Sequence, residues 1–177
     1  MTPGERQRFD RLLDRVMESL PVHIHKVLER VPMIVEDEPG RPLAMELALE
    51  ELQMSPDSIP EQWAADDSEN GDEDQRPLTP HMSADRRRLE AMADFMADTL
   101  CGLHTGVPLV ERSIDDSHGQ LPDLIHIFRR GIINAGGGWD QHAANKYVME
   151  QIRVTIMHEL GHHHGLQEDD LAELGYE

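Results

Sequence analysis

Val154-Thr155-Ile156-Met157-His158-Glu159-Leu160-Gly161-His162-His163-His164-Gly165-Leu166 is the stretch on which the reading of this chain turns. Together with Val148 and Ile152 upstream, Thr155, Ile156 and Leu160 recur three and four residues apart, which lays an apolar strip along one side of an α-helix. The periodicity predicts a helix from about Asn145 to His164, and Gly165 is well placed to end it in a left-handed conformation. His158 and His162 then stand one turn apart on one face. Their imidazoles can converge on one cation at about 2.0–2.1 Å each, the usual zinc–nitrogen length. Glu159 lies along the rim of the same face, where it can reach a water held by the metal without being a ligand itself. Zinc lowers the pKa of such a water to about 7, so the carboxylate need only take the proton as the water attacks a carbonyl carbon.

Two histidines flanking a glutamate at this spacing arise by chance in roughly 7% of chains of this length and composition, so context has to carry part of the argument. The motif sits inside an amphipathic helix and not in a polar tract. A helix that stops at Gly165 can swing Glu168 back toward the two imidazoles, which makes Glu168 the expected third ligand and Asp169 its nearest competitor. Three protein ligands plus water is the usual catalytic zinc arrangement. His163 and His164 project from other sides of the helix and receive no ligand role, although His163 is a candidate for packing or for a hydrogen bond behind the ligands. The plain alternative is a charged helix end whose histidines meet the negative end of the helix dipole.

Upstream of the motif, Leu124-Ile125-His126-Ile127-Phe128 is the strongest strand signal in the chain, and it is expected to offer an edge to an extended peptide. His126 sits on it. The other histidines (His23, His25, His81, His104, His118 and His142) read as structural or exposed. At the N-terminus, Thr2-Pro3-Gly4-Glu5 fits a capping box ahead of an apolar face of Phe9, Leu12, Leu13, Val16 and Leu20. A second short helix follows around Val22 to Val31, then a strand at Met33-Ile34-Val35 and a turn at Asp37 to Gly40. From Ser83 a helix resumes with Leu89, Met92, Met96, Leu100 and Leu103 on one face, read as core. Val107 to Arg112 reads as a further strand. Gly136-Gly137-Gly138 is a loop, and no Gly-Lys-Ser/Thr follows to make it a phosphate loop.

The chain has 177 residues, of which 38% are hydrophobic and only 4% aromatic. That core supply suits one domain with some residues outside the core. Residues 61–77 are acidic with Trp63 as their single large apolar side chain, and are expected to form a flexible loop. The formal net charge of −19 repels nucleic acid and anionic membranes, so neither is expected as a partner. No run approaches a membrane span, and the polar N-terminal segment lacks the apolar stretch of a secretory signal, so a cytoplasmic location is expected. Cys101 is the one cysteine, which rules out an intrachain disulfide and a Cys-rich zinc site.

Three segments resemble the small bacterial zincin-like metallopeptidase family: Leu100 to Leu109, Leu121 to Arg129, and the stretch from Val154 to Leu166. The likeness covers roughly residues 5–40 and 99–176, and it makes residues 41–98 an insertion within a single domain spanning 1–177. It implies an α+β minimal zincin-like fold, a few helices packed on a small mixed sheet with the zinc helix near the C-terminus. It also implies a zinc ion held by His158, His162 and Glu168, and Glu159 as general base. The expected function is a zinc-dependent peptidase acting on a peptide or protein substrate. Two rivals remain: a zinc-binding structural or interaction module without catalysis, and an acidic interaction protein whose histidine-rich helix end is incidental. Metal content separates the second rival, and turnover of unstructured peptides separates the first.

Overall fold

The computed structural model describes residues 1–55, 80–106 and 123–176. The acidic stretch 61–77 and the strand expected at Val107 to Arg112 lie outside the described residues. Two compact units are present, residues 1–39 with 98–177, and residues 40–97.

The first unit opens with α1 (Pro3–Ser19), started by the expected capping box: Glu5 N–H donates to Thr2 Oγ1 at 3.3 Å, and Thr2 N–H to Glu5 Oε2 at 2.8 Å. Its buried face is Phe9, Leu12, Leu13 and Val16. Helix α2 (Val22–Leu28) follows, then strand β1 (Met33–Glu36). The second unit is built from α3 (Arg41–Glu51) and most of α4 (Pro80–Thr99). Ala44, Ala48, Leu49, Leu89 and Ala93 form its small core, with Met92 packed against it and an Arg41–Asp94 ion pair at 2.5 Å. The helical stripe expected to run on through Leu103 ends earlier. Helix α4 stops at Thr99, and Leu103 belongs to strand β2 (Gly102–Thr105), where pairing with the next strand replaces helical hydrogen bonds.

Strand β3 (Leu124–Phe128) lies in the middle of a three-stranded mixed sheet of order β1-β3-β2. It runs parallel to β1, with Val35 beside Ile127, and antiparallel to β2, with His104 beside Ile125. The expectation that β3 offers an edge to a peptide is therefore overturned: both of its edges are already paired, and the outer strands are β1 and β2. Three helices follow the last strand: α5 (Arg129–Ala135), the long α6 (Ala144–His163) and α7 (Glu168–Leu174). Helix α6 packs on α1, α5, β2 and β3, so Val148, Ile152, Ile156 and Leu160 share one core with Phe9, Val16, Ile125 and Ile127. The described residues thus hold seven helices and one small mixed sheet, an α+β arrangement.

Charge ties the layers at one end. Arg129 donates to Asp10 at 2.9 Å and to Asp37 at 3.1 Å, and Arg6 reaches the other oxygen of Asp37 at 2.6 Å. The hydrogen bond from Arg6, and after it the charges of Arg6 and Arg129, hold the Asp37 carboxyl below its usual range.

Candidate active site

Helix α6 ends as the glycine demands. Gly165 has φ +85°, its N–H bonds to His162 O at 2.9 Å, and Leu166 N–H bonds to Gly161 O at 3.0 Å. This paired closure caps the last carbonyls and reverses the chain. The reversed chain enters α7, whose first turn is Glu168, Asp169 and Asp170; Asp170 Oδ2 accepts from Gln167 N–H at 3.0 Å. Leu171 is buried against α6 at Gly161, where a Cβ would lie 2.3 Å from Leu171 Cδ2. The missing side chain at 161 lets α7 lie close enough to return Glu168 to the motif.

His158, His162 and Glu168 come together there, each offering one donor atom within 4.8 Å of the others. The two Nε2 atoms are 3.0 Å apart. Glu168 Oε1 is 3.2 Å from His162 Nε2, and its Oε2 is 3.7 Å from His158 Nε2. On the far side of each ring, His158 Nδ1 donates to Tyr176 O at 2.6 Å and His162 Nδ1 to Leu166 O at 3.2 Å. A carbonyl only accepts, so the proton of each neutral ring sits on Nδ1 and the Nε2 lone pairs face one another. Two such lone pairs and a carboxylate at this range repel unless a cation or a shared proton lies between them. The set therefore fits a divalent metal, with rings held from behind as metal-bound histidines usually are. Glu168 is 74% exposed in its side chain, which makes its side of the cluster the open one. Asp169, the competitor in sequence, is not among the three.

Glu159 is 5% exposed and lies against β2. Alternation along β2 directs Gly102 and His104 to the face that packs on α6, and Leu103 to the opposite face. A Cβ on Gly102 would lie 2.7 Å from Glu159 Oε1 and 2.7 Å from Thr155 Cγ2. Burial pushes the Glu159 carboxyl up to about 7, while a hydrogen bond from the His104 main-chain N–H pulls the other way. Burial also raises the Cys101 thiol to about 11, which keeps it an inert neighbour.

The remaining histidines separate cleanly. His126 lies on the sheet face away from α6 and pairs with Glu36 at 3.0 Å. His163 is buried 3.9 Å from Asp123, and His104 is 3.6 Å from the same carboxylate oxygen. Sequence reasoning left His104 and Asp123 without a role and gave Gly102 none. The signal that points to them is the strand alternation, legible only once β2 is known to be a strand.

A family model for zincin-like metallopeptidases matches residues 78–176, more than half of the chain. The chain belongs to that family. A metallopeptidase family implies a metal ion and peptides as substrates. The match takes in the two histidines, both acids and the whole sheet except β1. It also begins at residue 78, upstream of residue 99, so the whole of α4 lies within it. No curated protein matches the chain. Among the described residues no helix is long and apolar enough to cross a membrane.

Proposed function

We propose that this zincin-like chain is a zinc-dependent peptidase in which His158, His162 and Glu168 hold the metal and Glu159 is the general base. The observation that carries the reading is the pair of Nε2 atoms 3.0 Å apart beside Glu168, each ring fixed through Nδ1 by a backbone carbonyl. Two imidazoles and a carboxylate are ligands suited to zinc. When bound, zinc supplies a Lewis acid that makes a water acidic and polarises a carbonyl.

This chain's own groups do the rest. Glu159 accepts the proton of the attacking water and returns it to the leaving amine, and its burial keeps it basic near neutrality. The His104 main-chain N–H orients the carboxylate from the strand side. Extended substrate pairs along the outer edge of β2, the sheet edge beside α6, through main-chain hydrogen bonds. The test pairs metal analysis of untagged protein with digestion of a broad unstructured peptide library. Stoichiometric zinc with cleavage supports the reading. Zinc without any cleavage favours the non-catalytic module, and no zinc removes the metal site altogether.

A further inference from the structure

We propose that His104, Asp123 and His163 form a second metal-binding site, suited to a borderline divalent cation of the zinc type. The three donors come from three separate places: β2, the residue leading into β3, and the last turn of α6. His104 Nε2 lies 3.6 Å and His163 Nδ1 3.9 Å from Asp123 Oδ1, and all three atoms fall within 4.8 Å of one another. Both measured separations exceed the roughly 2.7–3.2 Å of a direct hydrogen bond. They sit near the edge length of a coordination tetrahedron, about 3.3–3.6 Å for bonds of about 2.0–2.2 Å. A small inward shift of the side chains brings the two histidine–carboxylate edges to that length.

Burial and local backbone agree with this assignment. The side chains of His104, Asp123 and His163 are only 5%, 17% and 6% exposed. A carboxylate so enclosed between two imidazoles is a favourable place for a cation. Gly106 gives the carboxylate its room: residue 106 has φ +127°, and a Cβ there would lie 2.4 Å from Asp123 Oδ1. Two imidazole nitrogens and one carboxylate oxygen suit zinc and its neighbours in the first transition row. Three protein donors leave a fourth position for a water or a further donor, and the enclosure of this cluster contrasts with the open side that Glu168 gives the first one.

His162 and His163 are adjacent in the chain but project from different sides of α6, so the helix wall serves both clusters with no shared ligand. The second ion would clamp β2 to α6 at His104, the residue whose main-chain N–H meets Glu159. Occupancy of the buried cluster would then fix the position of the base.

The test is equilibrium dialysis of metal-free, untagged protein against zinc, with metal analysis and a helix-content check by circular dichroism. Wild type should bind two zinc ions per chain. The double variant His158→Ala/His162→Ala should keep one, and His104→Phe should lose one while staying folded. X-ray absorption on the double variant should give only nitrogen and oxygen neighbours with imidazole scattering. Failure of the motif as a metal site would show differently: a single zinc in wild type, kept by the double variant and lost in His104→Phe. The second site is overturned if the folded double variant binds no zinc, or if neither His104→Phe nor Asp123→Asn lowers the wild-type content. Should the double variant misfold, the comparison of wild type with the latter two variants decides alone.

Discussion

The Cβ that residue 102 lacks would sit 2.7 Å from Oε1 of Glu159, so strand β2 and helix α6 meet at a point with space for no side chain. Gly102→Ala should push the carboxylate aside or spread strand from helix. Misplacing a reacting group by about 1 Å can cost on the order of 10²-fold in rate. Overpacking should cost roughly 1–3 kcal/mol of stability. Zinc content should stay near that of wild type, because the three atoms nearest a Cβ at 102 belong to Glu159 and Thr155 and not to either histidine. Cleavage rate, urea midpoint and zinc content measured together check this. Unchanged cleavage would mean that Glu159 has slack.

Glu159→Gln should keep zinc and lose turnover. The amide is nearly isosteric but cannot take a proton from the attacking water, and general-base help is typically worth about 10²–10⁴-fold. His158→Ala should lose turnover and the zinc ion held by the motif, with the helix intact because alanine is a good helix former. Full activity in Glu159→Gln would show that another group is the base.

Glu168→Ala should weaken zinc binding far more than Asp169→Ala. Glu168 oxygens lie 3.2 and 3.7 Å from the two Nε2 atoms, whereas Asp169 is outside the cluster. Groups behind metal ligands are worth about 10–100-fold in affinity, and loss of a direct ligand should exceed that. A competition titration against a chromophoric chelator gives both constants. Equal values would remove Glu168 from the ligand set.

Asp37 should make stability fall with acid. Its folded pKa lies below the ordinary 3.8, chiefly through the hydrogen bond from Arg6, so its contribution is complete above that value. It is lost as pH drops through the folded value, where the carboxyl protonates. Asp37→Asn should lower stability at pH 7 by about 1–2 kcal/mol, given hydrogen bonds to charged groups at a partly exposed site. It should also flatten the acid limb below pH 4. Urea midpoints for both proteins across pH 2–7 provide the check, and parallel curves would exclude the link.

Much of the helix that bears the motif was legible because two local signals agree: the strip from Val148 to Leu160 and the stop at Gly165. Strand β3 declared itself by a run of branched and aromatic residues. Helix α5 did not, because Arg129-Arg130-Gly131-Ile132 follows the strand without a turn residue between them. Helix α7 begins with three acids and buries essentially one side chain, Leu171, too little for a periodic pattern. The extent of α4 was misread because Leu100 and Leu103 continue its spacing by coincidence, and only pairing with β3 turns residues 102–105 into a strand. His104, Asp123 and His163 could not be joined from sequence, since their meeting depends on the register of β2 against β3.

Parallel pairing of β1 with β3 has a consequence for biosynthesis. Glu36 and His126 touch across a sequence separation of 90 residues. At about 5–20 residues per second, a nascent chain carries β1 for roughly 5–20 s before its partner leaves the ribosome. During that interval Met33-Ile34-Val35 is a bare apolar strand, open to association with other chains. Its brevity and the acids that follow it, Glu36, Asp37 and Glu38, act as gatekeepers against such pairing. Two of these carboxylates, Asp37 and Glu38, later meet Arg6, Arg129 and Arg130, and thus guard the unfinished sheet while it waits.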